Sequence, residues 1–338
     1  MTDTLARSLD DTRRRWVPDQ RLGVFEVWLE ESAAGTRTMR GVTTSEAARE
    51  AARRLAAQAG LAEEVRLLPD PDLDQHSVAI VTVAVAPLTS EPRATALRAS
   101  EVLHGEALDV LERRGAWVRV RARDGYHGWV HAGYLALGTG EWGDDWETRA
   151  RARSLGCELR GDDVRVRLPI GARVSLLRDG AIETADGSRC QLVSGTVRLD
   201  SEARAEARLV APTEWALRWF GDVPFAVGGR TEWGCDGAGL TQAVFAARGV
   251  PVHRDADQQI TAGRDVAPSR SGHGYEAGDL LFFADQGRVS HVAMWAGAGR
   301  VVHAALSRGR VTRDDLFNDA GPIRHLADQL VAVRRIEG

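Results

Sequence analysis

The segment from residue 289 to residue 305 has few ways to fold. Two apolar runs of strand length, 289–296 and 300–305, flank Gly297-Ala298-Gly299. Such runs around a short glycine-bearing turn predict an antiparallel hairpin. With the turn centred on Ala298, Ala293 stands opposite His303. His291 then lies diagonally across from His303 on the same face, at roughly 5–8 Å. A slip of one residue puts the two imidazoles on opposite faces. The hairpin register therefore decides whether they share a site.

A helix is predicted upstream over 237–248. Leu240, Val244 and Phe245 give it an apolar stripe, and Gly249 suits its end. A helix N-terminus beside an imidazole is where a cysteine acquires a low pKa and becomes a nucleophile. The residues at this helix start are Asp236, Gly237, Ala238 and Gly239, with Cys235 just before them.

The preceding chain has a different texture. Residues 21–30 and 36–42 read as paired strands, 45–59 as a helix and 63–68 as a third strand. Thr43 with Glu46 fits a capping box, and Gly60 suits the position after the helix. The acidic run 69–75 reads as a linker. Val81–Val85, Ala107–Leu111 and Trp117–Ala122 read as strands, with a turn at Arg123-Asp124-Gly125. Residues 140–205 are read as strand-rich too, with Val164–Leu168, Arg173–Leu177, Gln191–Leu192 and Thr196–Leu199 as strands. A helix over 213–220 opens the final region.

Two resemblances organise these pieces. Trp117-Val118-Arg119-Val120, followed by Asp124-Gly125-Tyr126-His127-Gly128-Trp129-Val130, resembles a bacterial SH3 domain. Another small β-barrel is the alternative reading. The stretch from Val223 to Gly249 resembles the NlpC/P60 signature, which places a glycine pair before an Asp-Cys-Ser-Gly-Leu run. Val252 to Gln259, Gly278 to Phe283, Ser290 to Trp295 and Arg300 to Ala304 resemble its later motifs in the same order. The expected fold class is α+β and multidomain: a small α+β unit (1–75), two SH3-like β-barrels (76–138 and 139–207) and a papain-like NlpC/P60 domain (208–338).

The resemblance implies that His291 is a general base and that His303 orients it. It also implies γ-D-glutamyl-diamino acid endopeptidase chemistry on peptidoglycan stem peptides. The family's cysteine falls on Gly237 and its serine on Ala238, so thiol chemistry from that position is impossible. Its Tyr-x-Trp becomes Phe225-Ala226-Val227. The serine after Arg254-Asp255 becomes Ala256, and a substrate-binding glutamate of the first barrel aligns with Leu97. Asp255, Asp236 and Tyr126 are retained as candidate substrate contacts beside Phe225 and Ala256. Cys235 reads as a small buried residue. The rival reading makes it a register-shifted nucleophile, which the adjacent Asp236 disfavours.

Composition narrows the partners. With 44 basic and 48 acidic residues among 338, the chain carries a net charge of −4 and no footprint for nucleic acid. No signal-peptide pattern stands at the N-terminus, and no apolar run reaches membrane-spanning length. Three dispersed cysteines form neither a disulfide framework nor a zinc pattern. A cytoplasmic setting without metal or cofactor is the simplest expectation. Three functions fit: a pseudoenzyme that binds stem peptides or a protein partner through the former cleft, an interaction protein with that cleft closed, and an active hydrolase using Cys235.

Overall fold

The computed structural model describes residues 2–32 and 35–337. Its contacts divide the chain into two compact units. One comprises the residues up to Ile80, Thr89–Ala96 and Ala107–Asp144; the other comprises Val81–Leu88, Leu97–Glu106 and the residues from Asp145 onward.

In the first unit, helix Thr2–Trp16 sets Leu5 and Leu9 against Ala48, Ala52 and Ala56 of helix Glu46–Gln58. The alanines recur every fourth residue, so one narrow face closes against apolar neighbours. Strands Phe25–Glu31 and Arg37–Thr43 pair antiparallel. Ala62–Leu67 joins the latter in parallel, because helix Glu46–Gln58 provides the crossover. The amino-terminal helix was absent from the sequence reading; its only large apolar anchors are the Leu5–Leu9 pair and Trp16.

The helix cap differs from the expected one. Thr43 is still strand, paired with Leu67. Ser45 is the N-cap: its Oγ accepts the Ala48 N–H at 3.2 Å, while Thr43 Oγ1 accepts the Ser45 N–H at 3.2 Å. Parallel pairing holds Thr43 extended and delays the helix by two residues. Within 69–75, read as a linker, a 3₁₀ turn begins at Pro71.

Strands Leu135–Gly138, Val78–Val81, Ala107–Arg114, Trp117–Arg121 and His127–His131 lie side by side in that order. Gly125, at φ +85°, makes the turn between the last two. Trp129 is fully buried, with the guanidiniums of Arg114 and Arg119 at 4.9 and 4.6 Å from its ring. Glu112 pairs with both cations at 3.1 Å.

In the second unit, the strand expected over 81–85 is interrupted. His104 accounts for the break: its Nδ1 lies 3.0 Å from the Thr82 carbonyl, and its N–H donates to the Ala84 carbonyl at 3.1 Å. Strand Val85–Thr89 starts only beyond it. A five-stranded sheet runs Arg165–Leu168, Ala152–Arg160, Arg173–Leu176, Ile182–Glu183, Arg189–Leu199, and closes by pairing its second member with its last. The sequence reading split 189–199 into two strands at Gly195. That glycine (φ +81°) sits instead at a bulge facing Cys157 within one continuous strand. The stretch read as wholly strand-rich also contains helix Gly140–Arg149.

The carboxy-terminal part of this unit is a six-stranded sheet in the order Arg264–Val266, Leu330–Arg335, Leu280–Asp285, Arg288–Gly297, Arg300–Ala305, Arg310–Asp315. Alternation divides its side chains. Leu280, Phe282, Val292, Met294, Val302 and Ala304 pack with Phe220, Leu240, Val244 and Phe245 of helices Pro212–Phe220 and Gly237–Ala247. Leu281, Phe283, Ala293, Trp295 and Val301 pack with Leu316, Ile323 and Leu326.

Replacing the helix cap, Ser45→Ala, is expected to cost about 1 kcal/mol. Urea denaturation followed by circular dichroism measures it. A smaller loss for Ser45→Ala than for Thr43→Ala would contradict this capping assignment.

Candidate functional site

The site begins with helix Gly237–Ala247. Asp236 caps it, its Oδ1 accepting the Gly239 N–H at 2.7 Å and its Oδ2 the Gly228 N–H at 2.8 Å. Arg254, buried, donates to both oxygens, at 3.0 and 2.8 Å, and to Ser100 Oγ at 3.0 Å. Asp236, a candidate substrate contact by sequence, is thus taken up by four donors that fix the start of the helix. Gly239 has to be glycine, because a Cβ there would collide with the Gly229 carbonyl.

Gly237 is the first residue of this helix. A Cβ at position 237 would lie 3.1 Å from the Val292 carbonyl oxygen and 3.3 Å from Cε1 and Nδ1 of His291. A side chain there would therefore project onto the imidazole edge.

Hairpin register brings the two histidines together. Met294 pairs with Val302 and Trp295 with Val301, and Ala298 makes the turn at φ +51°. His291 Nε2 lies 2.9 Å from His303 Nδ1, and His303 Nε2 lies 3.2 Å from Asp314 Oδ2. Arg308 Nε is also 3.2 Å from Asp314 Oδ2. Phe283 stacks on the His291 ring at 5.7 Å between centroids.

These contacts fix the tautomers. A carboxylate only accepts, so His303 carries its proton on Nε2. The neutral ring then leaves Nδ1 as an acceptor, and His291 Nε2–H donates to it. His291 Nδ1 is consequently an unprotonated lone pair, directed at position 237. Burial, with His303 and His325 adding like charge, pushes the His291 imidazole down to about 3. Burial lowers His303 as well, against the pull of Asp314. Both rings are neutral at ordinary pH. The arrangement can accept a proton from a group at 237 and stabilise the resulting charge through His303 and Asp314.

The remaining candidates are distributed as follows. Asp255 forms a capping box with Gln258 at the helix Ala256–Gln259 and lies 4.0 Å from Arg254. Ala256 is half-buried against the apolar core. Phe225 donates its N–H to the Gly309 carbonyl at 2.8 Å and packs on the same core. Cys235 has no exposure and sits within that core, where burial and then the Asp236 charge push its thiol up to about 12. Tyr126 is buried in the first unit. Leu97 and Val227 are 66% and 58% exposed, joined through Arg98, whose Nε donates to the Val227 carbonyl at 3.0 Å.

Asp314 and Arg308 were missed by sequence reasoning. The signal was present: extending the hairpin by one strand pairs His303 with Thr312 and Val301 with Asp314. That register places Asp314 diagonally beside His303, as it places His291.

Comparison with known proteins bears on the family and the fold. The profile of the NlpC/P60 family matches residues 222–328, and that of the bacterial dipeptidyl-peptidase Sh3 domain matches residues 88–135. A γ-D-glutamyl-L-lysine dipeptidyl-peptidase of Bacillus subtilis is 35% identical over 89 residues, 25% of this chain and 29% of that protein. The Bacillus cereus protein of the same name is 25% identical over 230 residues, 61% of this chain and 66% of that protein. The chain thus spans well under half of the first relative. Among solved structures, an NlpC/P60 family protein from Bacillus cereus superposes with a TM-score of 0.63 at 18% identity, covering 77% of this chain and 99% of that one. An NlpC/P60 endopeptidase from Photobacterium damselae gives 0.59 at 14% identity, covering 78% and 72%. At these identities the structures speak to the fold alone.

The half-buried neutral imidazole of His291 carries a pH signature. The unfolded chain protonates His291 near its usual 6.5, whereas the folded protein resists until about 3. Its contribution to stability is complete above the unfolded value and is lost as pH falls toward the folded one. The melting temperature of the wild type should therefore drop more steeply than that of His291→Phe between roughly pH 7 and pH 4. Equal slopes in thermal melts would mean that His291 is not held neutral.

Proposed function

Because the chain carries an NlpC/P60 domain and a bacterial SH3 domain, of the family of cell-wall peptide hydrolases, we propose that it binds peptidoglycan stem peptides without cleaving them by a cysteine mechanism. The observation that carries this reading is the glycine at 237. It stands where a thiol would meet His291 Nδ1, and the imidazole pair beside it has nothing to deprotonate.

Two further observations support it. The nearest thiol in sequence, Cys235, is buried in the apolar core and strongly disfavoured as a thiolate, so it is poorly suited to replace the missing nucleophile. Leu97 exposes hydrocarbon where the resemblance expects a glutamate, and Val227 where it expects a tryptophan. Productive positioning of a substrate would then be weakened along with the nucleophile. Positioning can account for roughly 7–11 kcal/mol of a barrier, so restoring the thiol alone should recover little.

Relatives of the chain are named for γ-D-glutamyl-L-lysine dipeptidyl-peptidase and peptidoglycan endopeptidase activities. The ligand proposed here is accordingly an L-Ala-γ-D-Glu-diamino acid peptide. Asp255 is its anchor: the carboxylate side chain remains 27% exposed while capping its helix, and it can accept from a ligand ammonium.

Calorimetric titration with L-Ala-γ-D-Glu-diaminopimelate tests the binding. Wild type should bind, and Asp255→Ala should bind more weakly. Equal affinities would remove Asp255 from the site. In a chromatographic cleavage assay, the wild type and Cys235→Ala should both leave the peptide intact. The double change Gly237→Cys with Ala238→Ser should give little or no turnover. Its Cβ also needs Val292 and His291 to yield by a few tenths of an ångström. Cleavage by the wild type that is abolished in Cys235→Ala would overturn the pseudoenzyme reading.

A further inference from the structure

A second recess lies outside the histidine site. Strands Arg230–Thr231 and Gly234–Cys235 form a minimal hairpin whose turn carries Glu232 and Trp233. Beside it opens a groove of about 280 Å³, whose polar rim is made by Glu158, Arg167, Ser194 and Glu232, with Trp233 as its aromatic wall. Gly156 brings the neighbouring backbone close: a Cβ there would meet Glu232 Oε1 at 3.7 Å.

Glu232, Glu158 and Arg167 are each held by a neighbour. The Ile170 N–H donates to the Glu232 carboxylate, at 3.0 and 3.2 Å from its two oxygens. Burial raises the pKa of that carboxyl. Glu158 pairs with Arg165, and Arg167 stacks over the Trp233 ring at 5.9 Å. Ser194 stands opposite Glu158 across the paired strands and is exposed. Trp233 is 42% exposed although it is an indole, and nothing in the histidine site uses it.

The chemistry of such a groove selects its ligand. Glu158 is neutralised by Arg165 outside the groove, and Arg167 stands on the same rim as Glu232, so neither a strong anion nor a strong cation is favoured. A flat apolar ring edged by acceptors and donors matches a ligand with one hydrocarbon face and a rim of hydroxyl and amide groups. A pyranose ring has that form. The volume lies just below the ~300–1,000 Å³ of ordinary small-molecule sites, enough for one sugar residue rather than a long oligomer.

We propose that the groove between Trp233 and strand Arg189–Leu199 binds a neutral saccharide, of the N-acetylated amino-sugar class. In choosing that class the proposal rests on the peptidoglycan reading above, and extends it from the stem peptide to the glycan. Trp233 lies four residues before Gly237, so one short segment joins the sugar groove to the helix of the histidine site.

Titration of the full chain with N-acetylglucosamine and with chitobiose, read by ¹H–¹⁵N correlation spectra, tests it. The Trp233 indole N–H, identified by its loss in Trp233→Phe, should shift saturably, together with the Gly156 and Ser194 amides. Trp233→Ala should bind roughly tenfold more weakly, the size of a lost aromatic contact, and Trp233→Phe should lose less. Ser194→Tyr fills the groove from an exposed strand position and should abolish the shifts without unfolding the chain. Absence of saturable shifts at these residues, or unchanged affinity in both Trp233→Ala and Ser194→Tyr, overturns the proposal. A parallel titration with the sugar-free stem peptide separates the two readings. If the saccharide binds and the peptide does not, the groove stands and the stem-peptide reading falls. Peptide binding with no saccharide response leaves that reading in place and removes the groove.

Discussion

The carboxyl-terminal site depends on one ion pair, the half-buried Asp236 with the buried Arg254. A buried pair is useful only when its remaining donors and lone pairs are also satisfied. Here Arg254 meets both Asp236 oxygens, Ser100 Oγ and the Gly229 carbonyl, while Asp236 also takes the N–H groups of Gly228 and Gly239. One pair therefore fixes the glycine turn, the start of the site helix and the segment leading to Asp255. Removing Asp236 would leave the buried Arg254 guanidinium without its counter-charge, a loss of about 3–5 kcal/mol. The helix N-terminus is consequently set by a carboxylate that belongs to the scaffold, whichever residue follows it.

The imidazole relay stands on this scaffold as a separate ordered element. Its direction is set from the far end. Arg308 pairs with Asp314, Asp314 fixes the proton on His303, and His303 fixes the proton on His291. Each bond removes a tautomer, until only His291 Nδ1 is left as an acceptor. The cost of withdrawing the two imidazoles from water, His303 wholly and His291 in part, is offset by keeping them neutral and hydrogen-bonded. Proton affinity at the open end is thus governed by groups on two further strands.

Much of this was legible in the sequence where period and turn chemistry agree. The hairpin through Gly297, Ala298 and Gly299 fixes its register by itself, so the proximity of His291 and His303 follows from counting residues. Helix Gly237–Ala247 was legible from Leu240, Val244, Phe245 and Gly249. Errors fell where tertiary pairing overrides a local signal. Thr43 looks like a cap until parallel pairing with Leu67 extends the strand through it. Gly195 looks like a break until a bulge absorbs it. Asp314 was missed because finding it means carrying the register through the Leu306–Gly309 turn, whose αL residue Gly309 sets the next strand. Asp236 was legible as a site residue, but its four donors were not. They come from segments as distant in sequence as Gly228 and Arg254.

The architecture separates what orders the site from what would react in it. A side chain at 237 supports nothing: the cap is Asp236, the packing residues are Leu240, Val244 and Phe245, and the small space at 237 abuts His291 and the Val292 carbonyl. A glycine at that point leaves the cap and the packing residues of the helix untouched. Asp314 and His303 are different. His303 has no exposure, and without Asp314 its Nε2–H would be a buried donor lacking a partner, a loss of about 1–3 kcal/mol. Stability alone therefore holds the relay in place, whatever residue stands at 237. A preorganised base facing a glycine is the physical consequence, and an intact relay is in itself no measure of catalytic activity.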